Sequence, residues 1–213
     1  MKTVKEAMLL YGVTDRRWTG SQSLTQQVEL ALKGGITCVQ LREKQLDENA
    51  FLREALEIRE LCHSYGVPLL INDNVDIALR SGADGVHVGQ SDMEARNVRQ
   101  LLGPDKIIGV TARTVEQALA AQAAGASYLG SGAVFGTSTK ADARPLSYEQ
   151  LQAICRAVDI PVVAIGGITR DNILDLTGSG ADGVALVSSI FGAEDIEEEC
   201  HLLHDLSCRM VGR

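Results

Sequence analysis

Four stretches decide the fold: "GGITCVQL" (34–41), "SGADGVHV" (81–88), "AGASYLGS" (124–131) and "SGADGVAL" (179–186). Each carries a glycine that closes a helical pattern, a short turn, and then a β-rich apolar run. They start 47, 43 and 55 residues apart, at 34, 81, 124 and 179, which is the length of two strand–helix units each. Between them lie "GVPLLIND" (66–73), "DKIIGVTA" (105–112) and "DIPVVAIGGI" (159–168), continuous apolar runs of the kind that parallel sheets bury on both faces. With "AMLLYGVTD" (7–15) the strands number eight.

Helical patterns fill the gaps. Ser23-x-x-Gln26, Thr114-x-x-Gln117 and Ser147-x-x-Gln150 are capping-box starts. Over 47–65, Asp47 can cap a helix whose Phe51, Ala55, Ile58, Cys62 and Tyr65 recur at spacings of three and four. The segment 194–210 is acidic early and carries Arg209 late, which complements a helix dipole. Eight strands alternating with helices predict an α/β chain. The regular recurrence favours a closed single-domain (β/α)8 TIM barrel over 1–213 rather than an open doubly wound sheet.

Bulk properties narrow the function classes. A net charge of −8 argues against nucleic acid as a partner, because phosphate backbones need a basic face. No stretch approaches the ~20 apolar residues that span a bilayer, and Glu6 interrupts any signal-peptide pattern at the start. A cytoplasmic location and no membrane partner are expected. Five cysteines, an odd number without C-x-x-C, suggest neither a disulfide framework nor a ribbon-type zinc site. Cys200, His204 and Cys208 share one helical face, where metal binding is one use and burial in a core the commoner one.

In such barrels active sites form where strands end and the following loops begin. Reading those ends in order gives Gln40, Arg42, Glu43 and Lys44; Asn72, Asp73 and Asn74; Gln90, Ser91 and Asp92; Thr111, Arg113 and Thr114. The sixth strand leads into "VFGTSTKADA" (134–143), with three adjacent hydroxyls and Lys140. The seventh and eighth end in Gly166-Gly167 and Ser188-Ser189, where backbone N–H groups commonly bind phosphate. Cations, two acids and a phosphate cradle together suggest a Mg²⁺–diphosphate site. Taken singly, each has a plainer reading. Arg42 and Lys44 can be solvated charges, Asp73 and Asp92 turn residues or helix caps, and the glycine pair a tight turn. His87, between Val86 and Val88, reads as a buried, hydrogen-bonded histidine before a catalytic one.

The motifs "VQLREK" (39–44), "LINDN" (70–74), "GVHVGQSD" (85–92), "GTSTK" (136–140), "AIGGI" (164–168) and "VSSIF" (187–191), in this order, resemble the thiamine phosphate synthase family over essentially the whole chain. The resemblance implies a transferase that joins 4-amino-2-methyl-5-(diphosphooxymethyl)pyrimidine to 4-methyl-5-(2-phosphooxyethyl)thiazole, releases diphosphate and uses Mg²⁺. It places Gln40, Arg42, Lys44, Asn72, Thr111 and Lys140 on the pyrimidine diphosphate, with Arg42, Lys44 and Lys140 acting in catalysis. Asp73 and Asp92 take the metal. Thr137, Ser138 and Thr139 hold the thiazole phosphate, with Gly167, Val187 and Ser188. Partners are small-molecule substrates, with homo-oligomerisation left open. Two departures stand out: Thr111 replaces the family's usual serine and Arg113 its usual histidine. Non-synthase relatives on the same barrel, a thiazole tautomerase or a regulatory ligand-binding protein, are the alternative. Those tend to lack the full set of cations and acids present here.

Overall fold

The structure is a computed structural model that describes residues 3–89, 95–136 and 145–213. Among the described residues, strands β1 (Leu10–Val13), β2 (Cys38–Leu41), β3 (Leu69–Asn72), β4 (Gly85–Val88), β5 (Ile107–Thr111), β6 (Tyr128–Gly132), β7 (Val162–Ile165) and β8 (Gly183–Leu186) pair in parallel and close into one barrel. Closure is direct, with Tyr11 in register with both Cys38 and Ala185. The apolar runs alternate with period two. Leu69 and Ile71 face the outer helices while Leu70 faces the interior; Val162 and Ala164 face out while Val163 faces in. The interior cluster also holds Met8, Tyr11, Val13, Cys38, Tyr128 and Ala185.

The helices are α1 (Val4–Ala7), α2 (Leu24–Lys33), α3 (Glu48–Ser64), α4 (Val75–Ser81), α5 (Ala95–Leu102), α6 (Val115–Ala123), α7 (Tyr148–Ala157), α8 (Ser188–Phe191) and α9 (Ile196–Val211). Ser23 and Ser147 form complete capping boxes and Asp47 caps α3, as their spacing predicts. Three expectations need correction. Thr114 accepts from Gln117 N–H, but the Gln117 side chain accepts from Arg113 N–H rather than closing a box. Tyr65 lies just beyond α3 at its C-cap and is 40% exposed, so the buried face ends at Cys62. The fourth repeat follows only a 3₁₀ turn, Ile173–Leu176, not an α-helix. There Asn172 accepts from Thr169 N–H and donates to the Gly167 carbonyl, which ties the segment to the strand end.

The four repeats have a common physical use. Thr37, Asp84, Ser127 and Asp182 occupy the same place in each, immediately before or at the start of the even-numbered strand. Their side-chain oxygens accept the N–H groups of Leu10 (2.8 Å), Leu69 (2.8 Å), Ile108 (3.1 Å) and Val162 (2.9 Å). Their own N–H groups return to the carbonyls of the same four residues. Each reciprocal pair pins an odd strand to the next even one at the N-terminal end of the barrel.

Candidate active site

Period-two alternation turns Gln40, Asn72, His87 and Thr111 inward near the opposite, C-terminal end, while Arg42, Lys44 and Asp73 sit on the loops just beyond it. Asp73 is the one non-glycine residue with positive φ among the described residues, at 60°. An L-residue held there costs conformational free energy, and such outliers collect at functional sites. It is not the helix cap, since Asn74 accepts from Ile77 N–H to start α4. Freed from capping, the Asp73 carboxylate accepts from Asn72 Nδ2 at 2.6 Å and lies 3.5 Å from Lys44 Nζ. A cleft of about 620 Å³ opens beside these groups, lined in part by Glu43, Lys44, Asn72 and Asp73.

The loop carrying Arg42 and Lys44 is held from below. Glu43 accepts from the N–H groups of Lys44 and Gln45, both at 2.6 Å, and from Arg16 Nε at 2.8 Å. Burial pushes the Glu43 carboxyl up, but those N–H groups and Arg16 outweigh it and hold it below its usual range. Arg16 Nη2 also donates to both carboxylate oxygens of Glu54 in α3, at 2.6 and 2.8 Å. Arg42 donates its N–H to Thr14 and its guanidinium lies 3.7 Å from Asp15. Arg17, bonded to Asp15, and Arg42 beyond it hold the Asp15 carboxyl low. Asp15, Arg16 and Glu54 lie outside the strand-end reading, which skips the first strand; its "GVTD" ending carries the same polar signal as the others.

Other sequence candidates divide by placement. Gln40 is buried and bonds Tyr11 Oη, and Thr111 bonds His87. His87 is hydrogen-bonded as its surroundings predict, but it is partly rather than fully buried. Arg113 donates to the Gly132 carbonyl and so ties the loop after β5 to the end of β6. Gly166 and Gly167 have φ of 103° and 68°, and a Cβ on Gly167 would stand 2.1 Å from the Gly136 carbonyl oxygen. The residue before Thr137 therefore lies directly against Gly167. Val187 is the N-cap of the short α8 and Ser188 its first residue. Asp92, Thr137, Ser138, Thr139 and Lys140 lie outside the described residues. Near the C-terminus Cys200 is buried and the Cys208 sulfur is 3.9 Å from His204 Nδ1, and among the described residues no cluster of His, Cys, Asp and Glu could hold a metal.

A closed (β/α)8 barrel with cations, an amide and a strained carboxylate gathered at its C-terminal mouth defines an enzyme for anionic small molecules. A family model described as thiamine monophosphate synthase matches residues 10–190. The chain is 47% identical to a thiamine-phosphate synthase of Clostridium acetobutylicum over 197 residues, 92% of this chain and 93% of the relative. It is 49% identical to one of Clostridioides difficile over 198 residues, 93% and 94% of the two chains. A solved thiamine phosphate pyrophosphorylase from Pyrococcus furiosus superposes with a TM-score of 0.91 at 36% identity, covering 99% of this chain and all of that one. The chain belongs to the thiamine monophosphate synthase family. No helix among the described residues is long and apolar enough to cross a membrane.

Proposed function

We propose that this barrel is one catalytic domain, acting in the cytoplasm, that joins the pyrimidine diphosphate to the thiazole phosphate and releases diphosphate. The observation that carries the reading is the cluster Arg42, Lys44, Asn72 and Asp73 at one barrel mouth, in a chain of this family. Breaking the C–O bond to diphosphate builds negative charge on the leaving group. Arg42 and Lys44 stand on a loop whose backbone N–H groups Thr14 and Glu43 hold, with Asp15 beside the Arg42 guanidinium, so both cations are placed to meet that charge as it forms. Lys140 is assigned to the same diphosphate. Gln40, Asn72 and Thr111 orient the pyrimidine, so that its methylene carbon faces the thiazole nitrogen. Thr137, Ser138 and Thr139, with the backbone of Gly167, Val187 and Ser188, are assigned to the thiazole phosphate. No side chain of the described site needs to act as a nucleophile, because the thiazole nitrogen attacks.

A divalent cation fits the donor chemistry. Asp73 offers hard carboxylate oxygens at the mouth, and Mg²⁺ is typically held by one or two carboxylates plus substrate phosphates. Asp73 and Asp92 would hold it, and it would supply positive charge to the departing diphosphate. The test is formation of thiamine phosphate from the two substrates with Mg²⁺ and after chelation by EDTA. Product only with the metal is expected; no product under either condition overturns the reading.

A further inference from the structure

Three consecutive residues after the first strand meet two after the second. Thr14 Oγ1 accepts from Arg42 N–H at 3.0 Å, Asp15 lies 3.7 Å from the Arg42 guanidinium, and Arg16 bonds Glu43. The charges run in opposite order on the two loops, Asp-Arg against Arg-Glu, so a slip of one residue would set like charges together. Arg16 opens a 3₁₀ turn, Arg16–Trp18, which Asp15 caps by accepting from Arg17 N–H. Its guanidinium is where three segments meet. Nε and Nη2 lie 2.8 and 2.7 Å from Glu43 Oε2, and Nη2 lies 2.6 and 2.8 Å from the two oxygens of Glu54 on α3.

The two oxygens of Glu43 serve different partners. Oε1 accepts the N–H groups of Lys44 and Gln45, and Oε2 takes Arg16. The Glu43 side chain is 2% exposed and that of Glu54 16%, so both carboxylates are largely out of water. Burial, with Glu43 and Glu57 nearby, pushes the Glu54 carboxyl above its usual range even against Arg16. Without the guanidinium two desolvated acids would face each other uncompensated. The Glu43 carboxylate would then turn toward water and release the two N–H groups. Lys44 depends on those groups for its place. Its side chain is 57% exposed, and its ion pair among the described residues is the 3.5 Å contact to Asp73. A flexible, exposed ammonium stem is aimed by the backbone that carries it. Arg42, by contrast, has its own holds in Thr14 and Asp15.

We propose that Arg16 is a positioning residue: anchored to α3 through Glu54, it locks Glu43, and through Glu43 the turn that places Lys44 beside Asp73 at the barrel mouth. That Lys44 meets a departing diphosphate rests on the proposed function; that Arg16 holds its turn does not. The direct test is hydrogen exchange of the full chain, read at the Lys44 and Gln45 amides in the wild type, Arg16→Met and Glu43→Gln. Glu43→Gln keeps the shape but, in either orientation of its amide, sets an NH₂ against Arg16 or against the two backbone N–H groups. Both amides should exchange at least about tenfold faster in each variant, the loss of a hydrogen bond to a charged group. The amides of Leu70 and Ile71 in the core of β3 should keep the wild-type rate. Unchanged exchange at Lys44 and Gln45 in either variant, or acceleration spread equally over β3, overturns the proposal. If Arg16→Met does not fold, Glu43→Gln is judged by the same result. In the synthase assay Arg16→Met should lower kcat by about 10–50-fold and leave KM for the thiazole phosphate unmoved. In a Lys44→Ala background the same change should cost less than about twofold, because the group it positions is already gone. A loss that multiplies there would mean that Arg16 supports the fold rather than Lys44, and overturns the assignment. A wild-type chain inactive with both substrates would refute the synthase reading, while the exchange rates still decide whether Arg16 holds the turn.

Discussion

The two ends of the barrel are built on opposite plans. At the N-terminal end Thr37, Asp84, Ser127 and Asp182 repeat one device, a side-chain oxygen and a backbone N–H that together hold the preceding odd strand. Among the described residues of the C-terminal end no device repeats. Thr14 and Asp15 position Arg42, Glu43 braces its own loop, Asp73 is held at positive φ, and Gly167 lies against the loop after β6. Repetition marks scaffold here, since all four strand pairs face the same geometric problem. Divergence marks the candidate site, since the two substrates proposed for it are small and asymmetric and would ask a different contact of each strand end. The division agrees with the general rule that conservation of form at the lower face serves stability and variation at the upper face serves chemistry.

Three substitutions would break or sharpen this contrast. The largest effect is expected for Arg42→Ala at the upper end. Removing a preorganised charge from the leaving group should lower kcat/KM by about 10²–10³ with little change in Tm. A fall in Tm with unchanged kcat/KM would place Arg42 in the scaffold instead.

At the lower end, Asp84→Ala strips the acceptor from Leu69 N–H and the partner from His63. Leaving a buried donor unmet should cost about 1–3 kcal/mol. A barrel of this size should lose about 2–4 °C in Tm for each kcal/mol. kcat/KM at 25 °C should not change, and a selective loss of activity would show that the two ends are not separable.

The smallest effect on stability carries the sharpest sign. Asp73→Gly relieves the positive φ, so stability should hold or rise by up to about 1 kcal/mol. The Mg²⁺ response should nevertheless be lost, because the carboxylate is gone. A titration of activity against Mg²⁺ in the variant decides it, and a wild-type response would remove Asp73 from the metal site.

Much of this was written in local pattern. The spacing of the four glycine-led runs determined the barrel, because strand and helix periods and the glycine stops are properties of neighbouring residues. Gln40, Arg42, Lys44, Asn72, Asp73 and Thr111 were legible as strand-end polar residues, because a barrel's active face lies at one end of every strand. Local pattern failed where the outcome depended on contacts between distant segments. Tyr65 has helical spacing but falls beyond the last turn, and "TRDNILDLTGSG" looks helical yet is drawn into a 3₁₀ turn by Asn172. Thr114 and Gln117 spell a capping box, but Arg113 N–H wins the glutamine oxygen.

The sequence by itself determined the closed barrel, the family and the end at which the site forms. Tertiary structure alone decided which acid is bent into positive φ, that Arg16 spans Glu43 and Glu54, and that Tyr11 and Tyr128 join Gln40 to Thr111 through His87. The physical reason is distance along the chain. Tyr11 and Tyr128 stand 117 residues apart, and nothing in the residues around either one specifies the other. Their meeting follows only once eight strands have closed, so that inward side chains from β1 and β6 share one interior in which Gly109 leaves room for the Tyr128 ring.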